Sequence, residues 1–249
     1  MSTPEVPPHP TLTKYYASAD ERDAAVRKLF DAGAKDYELV CWLMSMGTGE
    51  SYRGQVLKDA GLAPGMRLLD VATGTGLVLR SGTEIVGPTG LAIGLDPSTG
   101  MLRECRTRSR APLVQARGEQ LPFASGHFDM VSMGYALRHV PDLLLLFNEY
   151  RRVLKPGGTV VILEVAQPAS TVGRRLNKMF LQTIVPRIAQ ISTGRADAKR
   201  MMDYFWDTIE QCVPPDVILS ALARAGFEAT RTVTGGVLGQ YLGRVKAGA

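Results

Sequence analysis

Two carboxylates and a glycine turn set the chemistry this sequence could support. Asp70 lies in the apolar run Leu68–Val71, Ala72-Thr73-Gly74-Thr75-Gly76 follow, and Asp96 ends a second run, Leu91–Leu95. Gly74 and Gly76 permit conformations forbidden to side-chain-bearing residues, so free N–H groups at a helix start can face a ligand closely. The dinucleotide fingerprint fails, because Leu79 stands where its third glycine belongs. A carboxylate ahead of the glycines would repel a pyrophosphate but suits a cationic amino-acid group, and Asp96 can accept both hydroxyls of a ribose. Two acids, a glycine turn and no phosphate-binding lysine favour S-adenosyl-L-methionine, which joins a ribose to a zwitterionic tail and carries no phosphate. A tight strand–helix turn without a ligand is the plain alternative.

The second chemical group is Tyr135-Ala136-Leu137-Arg138-His139-Val140. An imidazole titrates near neutrality, so His139 is the candidate base or acceptor contact, and Arg138 could stabilise a phenolate or other anion. Alternatively both brace the loop into the next helix, Arg138 to a carboxylate and His139 to backbone. His9 and His127 are given no role.

These residues need an open α/β sheet to position them. Apolar runs at Leu68–Val71, Leu91–Leu95, 113–116, Phe128–Gly134 and Thr159–Val165 read as parallel strands alternating with helices. Pro97 and Met101 begin the helix after Asp96, and Asp142 caps another, closed by Lys155-Pro156-Gly157-Gly158. Ahead of the sheet, helical stretches near 20–30, 35–46 and 50–60 make a helical N-terminal segment over 20–63. Residues 1–19, proline-rich between Pro4 and Pro10, read as a disordered leader. Tyr15 and Tyr16 could stack on an adenine, line an acceptor pocket or pin the N-terminus. From 169 to 212 a cap insertion mixes Arg174, Arg175, Lys178 and Arg187 with apolar residues, and Tyr204 and Trp206 are candidate acceptor contacts. A hydrophobic acceptor pocket or membrane-facing lid competes there with a dimer interface and with core packing.

At 249 residues, 45% hydrophobic and 21% charged, the chain fits one soluble α/β domain, 20–249. Its net charge of +5 lacks the broad basic, aromatic-laced surface that nucleic acid requires. Three widely spaced cysteines indicate neither a disulfide framework nor a zinc site. The N-terminus shows no signal peptide and no apolar run spans a bilayer, so a reducing cytoplasm is the expected setting.

Leu-Asp-Val-Ala-Thr-Gly-Thr-Gly (69–76), Gly-Leu-Asp96, Glu119-x-Leu-Pro-Phe123, Phe128-Asp129, Ala136-Leu-Arg-His-Val140 and Arg152-Val-Leu-Lys-Pro-Gly-Gly158 resemble class I S-adenosylmethionine-dependent methyltransferases. Within these the chain is most similar to the ubiquinone/menaquinone C-methyltransferase family. The resemblance implies a Rossmann-like seven-stranded sheet, mostly parallel with one antiparallel edge strand and helices on both faces. It carries cofactor-binding roles to Thr75, Asp96, Arg117, Gly118 and Gly134, with Asp70 behind the methionine tail. Ala72, Gly74, Gly76, Pro97, Met101 and Glu119 complete the expected cofactor set. Tyr16, Tyr135, His139, Tyr204 and Trp206 make the expected acceptor set.

The expected reaction is transfer of a methyl group to a small aromatic acceptor, first of all ring C-methylation of a quinone precursor. The chain departs from the family at Leu77, Arg117, Tyr135-Ala136, His139 and the tail Gln240–Gly243. N- or O-methylation of a soluble (hetero)aromatic intermediate is the alternative, and phospholipid amine methylation a weaker third. A non-catalytic S-adenosylmethionine-binding protein is the alternative of another class. The partners expected are the small acceptor, a peripheral membrane contact if that acceptor is prenylated, and a second copy in a homodimer, with no nucleic acid and no metal.

Overall fold

A computed structural model describes residues 5–168, 170–185, 187–188 and 197–246. Its centre is β1 (Arg67–Val71), where Leu68, Leu69, Asp70 and Val71 are all buried. A strand covered on both faces cannot alternate apolar with polar residues, and β4 (Phe128–Gly134) carries a similar continuous run. With β2 (Leu91–Leu95), β3 (Leu113–Val114), β5 (Leu154–Val165), β6 (Phe227–Thr234) and β7 (Leu238–Val245) the sheet order is β3-β2-β1-β4-β5-β7-β6. The chain winds outward through β2 and β3, then returns to place β4 on the other side of β1. That reversal opens a crevice at the carboxyl ends of β1 and β4.

The sheet is seven-stranded and mostly parallel, as expected, but its antiparallel strand is not at the edge. Gly235 and Gly236, both at positive φ, turn β6 straight back, and β7 inserts antiparallel to both β5 and β6. The edges are β3 and β6. Strand β3 pairs over two residues rather than the four expected, and β5 starts five residues early because Leu154 already pairs with Phe128, a register shift then leaving Lys155–Gly158 unpaired before Thr159 meets Met130.

Helices cover both faces. On one, α3 (Gly49–Asp59), α4 (Leu77–Val86) and α5 (Thr99–Arg108) pack through Leu57, Leu79 and Cys105. On the other lies α6 (Leu143–Val153), whose Leu143, Leu146, Phe147, Tyr150 and Val153 form one buried stripe at helical spacing. Asp142 caps it, accepting from the N–H groups of Leu144 and Leu145. The N-terminal α1 (Ala19–Gly33) and α2 (Tyr37–Ser45) lie across the crevice. Past β5, α7 (Thr171–Met179) runs into a π-helical turn, Phe180–Ile184; α8 (Asp197–Glu210) and α9 (Pro215–Arg224) follow. The expected cap over 169–212 lies partly outside the described residues. Its described part packs Leu181, Val185, Met202, Phe205 and Ile209 against Val40 of α2.

The leader expected to be disordered is packed against the domain over its described residues, from residue 5 on. Val6 donates its N–H to Asp142 and accepts from Leu143, while Pro8 accepts from Val213. His9, Leu12 and Tyr16 are buried. The carbonyls of Val6 and Pro8 thus satisfy N–H groups at the start of α6 and just after α8. No described helix is long and apolar enough to cross a membrane.

Candidate active site

The turn after β1 is held open by backbone conformation. Ala72, Gly74 and Gly76 have φ of 52°, 57° and 90°. Gly76 starts α4, and a Cβ there would lie 2.6 Å from the Cys105 sulfur, so the glycine is required twice over. Asp96, from the end of β2, accepts from the Gly74 N–H at 2.8 Å and the Ser98 N–H at 2.8 Å. It therefore ties the first glycine of the turn to the start of α5. Asp70 lies beneath, accepting from the hydroxyls of Thr73 (2.6 Å) and Ser132 (2.7 Å). Burial pushes both carboxyls up to about 6, against the hydrogen bonds that favour their ionised forms.

Above this turn lies a cavity of about 390 Å³. Of the expected cofactor set, Ala72, Gly74, Asp96, Pro97, Met101, Arg117, Gly118, Glu119 and Gly134 line it. Asp70, Thr75 and Gly76 sit one layer below, with the Thr75 hydroxyl oxygen buried and unpartnered among the described residues. The helical N-terminal segment, readable from sequence as a cover over the cofactor, lines the cavity through residues the sequence did not single out: Asp20, Asp23 and Phe30 of α1, and Tyr37 of α2. Arg117 ion-pairs with Asp23 at 2.6 Å and with Glu119 at 3.3 Å, drawing α1 over the cavity. Asp31 of α1 accepts from the Ser98 hydroxyl and the Gly100 N–H, fixing α1 to the start of α5.

His139 lines the same cavity, stacked on Tyr204 with Nδ1 3.3 Å from its hydroxyl and the edges of Phe30 and Phe205 around it. Burial, with Arg138, His9 and Arg22 nearby, holds this imidazole well below its usual value, so it is neutral. Its Nε2 has no partner among the described residues. It can exchange a hydrogen bond with a ligand but is a weak proton acceptor.

Arg138 was expected to meet an acceptor anion; the structure gives it another partner. It is 1% exposed, its Nε donates to Glu164 at 2.9 Å and its Nη2 to the Tyr135 carbonyl. It is a brace between the loop and β5, the alternative drawn from sequence. Tyr16 and Trp206 also require correction as acceptor contacts, for they line neither the cofactor cavity nor the second cavity beside it. Tyr16 packs on Leu12 and Tyr204, pinning the N-terminus. Trp206 belongs to the core of the cap and donates its indole N–H to Glu210. Tyr204, also expected to meet the acceptor, likewise lines neither cavity and reaches the site only through the rings of His139 and Phe30.

A second cavity, about 540 Å³, abuts the first, and Tyr37 and Tyr135 line both. Its walls come from α2 (Val40, Cys41, Met44), α3 (Tyr52, Arg53), the end of β5 (Val165, Pro168), the cap (Leu176, Phe180, Leu181) and the β6–β7 turn. Tyr135 has φ 61°, a strained conformation for a bulky residue, and its N–H is held by the Leu163 carbonyl at 2.7 Å. All three described non-glycine residues at positive φ, Met46, Ala72 and Tyr135, line one or other cavity.

The carboxylate-and-glycine cradle fits a nucleoside cofactor without phosphate, and comparison with known proteins agrees. Residues 17–245 match the model of the ubiE/COQ5 methyltransferase family. The chain is 30% identical over 234 residues to the ubiquinone/menaquinone biosynthesis C-methyltransferase UbiE of Shewanella oneidensis, covering 90% of this chain and 92% of that one. It is 32% identical over 228 residues to the demethylmenaquinone methyltransferase of Staphylococcus aureus, covering 88% and 92%. Among solved structures, a SAM-dependent methyltransferase of Thermotoga maritima, described as a possible histamine N-methyltransferase, matches with TM-score 0.61 at 19% identity. It covers 88% of this chain and 99% of its own. A SAM-dependent methyltransferase from Aquifex aeolicus gives TM-score 0.59 at 17% identity, over 78% and 89%. These last two speak for the fold. The chain belongs to the ubiE/COQ5 methyltransferase family and is an S-adenosylmethionine-dependent methyltransferase.

Proposed function

We propose that this enzyme methylates a ring carbon of a quinone precursor. The observation that carries the reading is the second, largely apolar cavity set against the cofactor cavity through Tyr37 and Tyr135. The names of the relatives support the same acceptor class. When bound, S-adenosylmethionine supplies a methyl group already activated on a sulfonium. The chain's own residues hold and shield. Asp96 and the Gly74 turn hold the nucleoside, Asp70 sets the charge beneath its amino-acid tail, and α1, clasped by Asp23 and Arg117, excludes water. Tyr37 and Tyr135 shape the passage between the two chambers, and positioning there supplies much of the rate. Neutral His139 orders whatever polar group reaches its free nitrogen.

The acceptor's tail would leave by the cavity mouth, where Met46 and Leu176 line the wall yet are 79% and 56% exposed. Trp42, Val172 and Met179 add exposed apolar surface, with Arg174, Arg175 and Lys178 beside them on α7. A prenylated acceptor drawn from a lipid surface suits this face, and the enzyme would work from the cytoplasmic side. The test is methyl transfer from labelled cofactor to two pools, prenylated phenols and soluble heteroaromatics, read by mass spectrometry. Ring-methylated prenylphenol is the expected product. Methylation confined to soluble acceptors would replace this reading with N- or O-methylation.

A further inference from the structure

Two arginines are buried beside the second cavity, and they differ. Arg138 is neutralised by Glu164. Arg53 of α3 lines the cavity, is 6% exposed, and has no carboxylate within ion-pairing distance among the described residues. Its guanidinium lies 5.5 Å from the centre of the Tyr135 ring, at the passage between the two chambers. Gly49 makes room for it: a Cβ there would fall 2.5 Å from Arg53 Nη1. We infer that Arg53 recognises the acceptor, receiving the ionised oxygen of an acidic phenol or enol in the second cavity. The inference rests on the proposed aromatic acceptor and narrows it to one that binds as an oxyanion.

The surroundings leave that charge to a ligand. On α2, burial pushes the Cys41 thiol up to about 11 and raises Tyr37, while Glu38 is taken by Arg80 and Arg108. Tyr52 on α3 and Tyr135 after β4 are raised by burial as well. From β5, Glu164 is committed to Arg138. The neighbouring hydroxyls and thiol thus stay neutral near pH 7, and a buried cation without a counter-charge is unfavourable until an anion arrives. A guanidinium presents several donors in a plane and keeps its charge, which suits an aromatic oxyanion better than a neutral carbonyl. An ionised ring oxygen also enriches the adjacent ring carbons in electron density, the property a carbon acceptor of a methyl group needs.

The probe is 4-nitrophenol, whose phenolate absorbs in the visible, titrated with pH in the protein saturated with S-adenosylhomocysteine; 4-nitroanisole is the neutral control. Wild type should lower the ionisation midpoint of bound 4-nitrophenol by about one pH unit or more, the effect of a cation within a few ångströms. Arg53→Gln should abolish the shift and leave 4-nitroanisole binding unchanged, and Arg53→Lys should retain most of it. An unshifted midpoint in wild type overturns the inference without any variant, and so does a full shift in Arg53→Gln. If the shift is present but no aromatic is methylated, the proposed reaction fails and the anion site stands. Methylated prenylphenol with no shift leaves the reaction and removes Arg53 from it.

Discussion

The two cavities are built in opposite ways. The cofactor cavity is floored by short segments that follow strands, each contiguous in sequence: 70–76, Asp96–Met101, 117–119 and 133–136. Its floor is acidic. The acceptor cavity is assembled from α2, α3, the cap and the β6–β7 turn, so that Tyr52 and Gly235 meet across most of the chain, and its lining is apolar with buried arginine. A ligand common to many enzymes can be held by local turns; an acceptor particular to one enzyme is read by surfaces that only tertiary packing brings together.

Swapping the two arginines buried beside the acceptor cavity for an apolar isostere sharpens this contrast most. Arg138→Met should cost about 3–5 kcal/mol, since Glu164 would be left buried and unpaired. Arg53→Met should change stability by less than about 1 kcal/mol, or raise it, because no counter-charge is stranded. Urea unfolding of both variants measures the difference, and equal losses would erase the distinction. Next in size, Asp96→Ala should weaken S-adenosylhomocysteine binding by about 2–3 kcal/mol, the worth of hydrogen bonds to a charged acceptor. Calorimetry should show binding of 4-nitroanisole unaffected by that change.

The pH response should separate the chambers too. Asp70 and Asp96 are raised to about 6, so between roughly pH 4 and 6 the folded chain holds protons that the unfolded chain has lost. Their contribution to stability therefore falls as pH rises through that window and levels off above it. Affinity for S-adenosylhomocysteine should run the other way, flat above pH 7 and declining below 6 as the carboxylates lose charge. A pH-independent affinity would mean that neither acid meets the cofactor. The smallest effect belongs to Arg117→Ala: its pair with Asp23 is half exposed and worth at most about 1 kcal/mol. Faster cofactor release by stopped flow, with unfolding unchanged, is the expected signature.

What the sequence disclosed follows the same division. Leu68–Val71, the glycine turn, the Asp142 cap and the α6 stripe are local patterns, and each reads correctly because the neighbours that decide it are within a few residues. The proline-rich leader misleads, since composition cannot show that Val6 and Pro8 meet Asp142, Leu143 and Val213. Arg138 looks catalytic beside His139 until β5 brings Glu164 to it. Arg53 gives no signal at all, because an arginine at ordinary spacing on a helix is normally solvated. Its burial is decided by Gly49 beneath and Tyr135 across, and the left-handed φ of Tyr135 is set by its contact with β5.

The tethering of Val6 to Asp142, 136 residues further on, has a consequence for synthesis. The chain emerges N-terminus first, so the segment leading into α1 is made long before the anchors that hold it. α1 itself can dock as soon as Ser98, Gly100 and Arg117 are made, but the segment ahead of it stays untethered until residues 142, 143 and 213 are translated. On the ribosome the nucleoside cradle, whose residues lie between 70 and 136, is complete before the last tethers of its cover are made. A nascent chain paused before residue 213 should bind S-adenosylhomocysteine weakly and release it fast, and gain retention as that last anchor emerges.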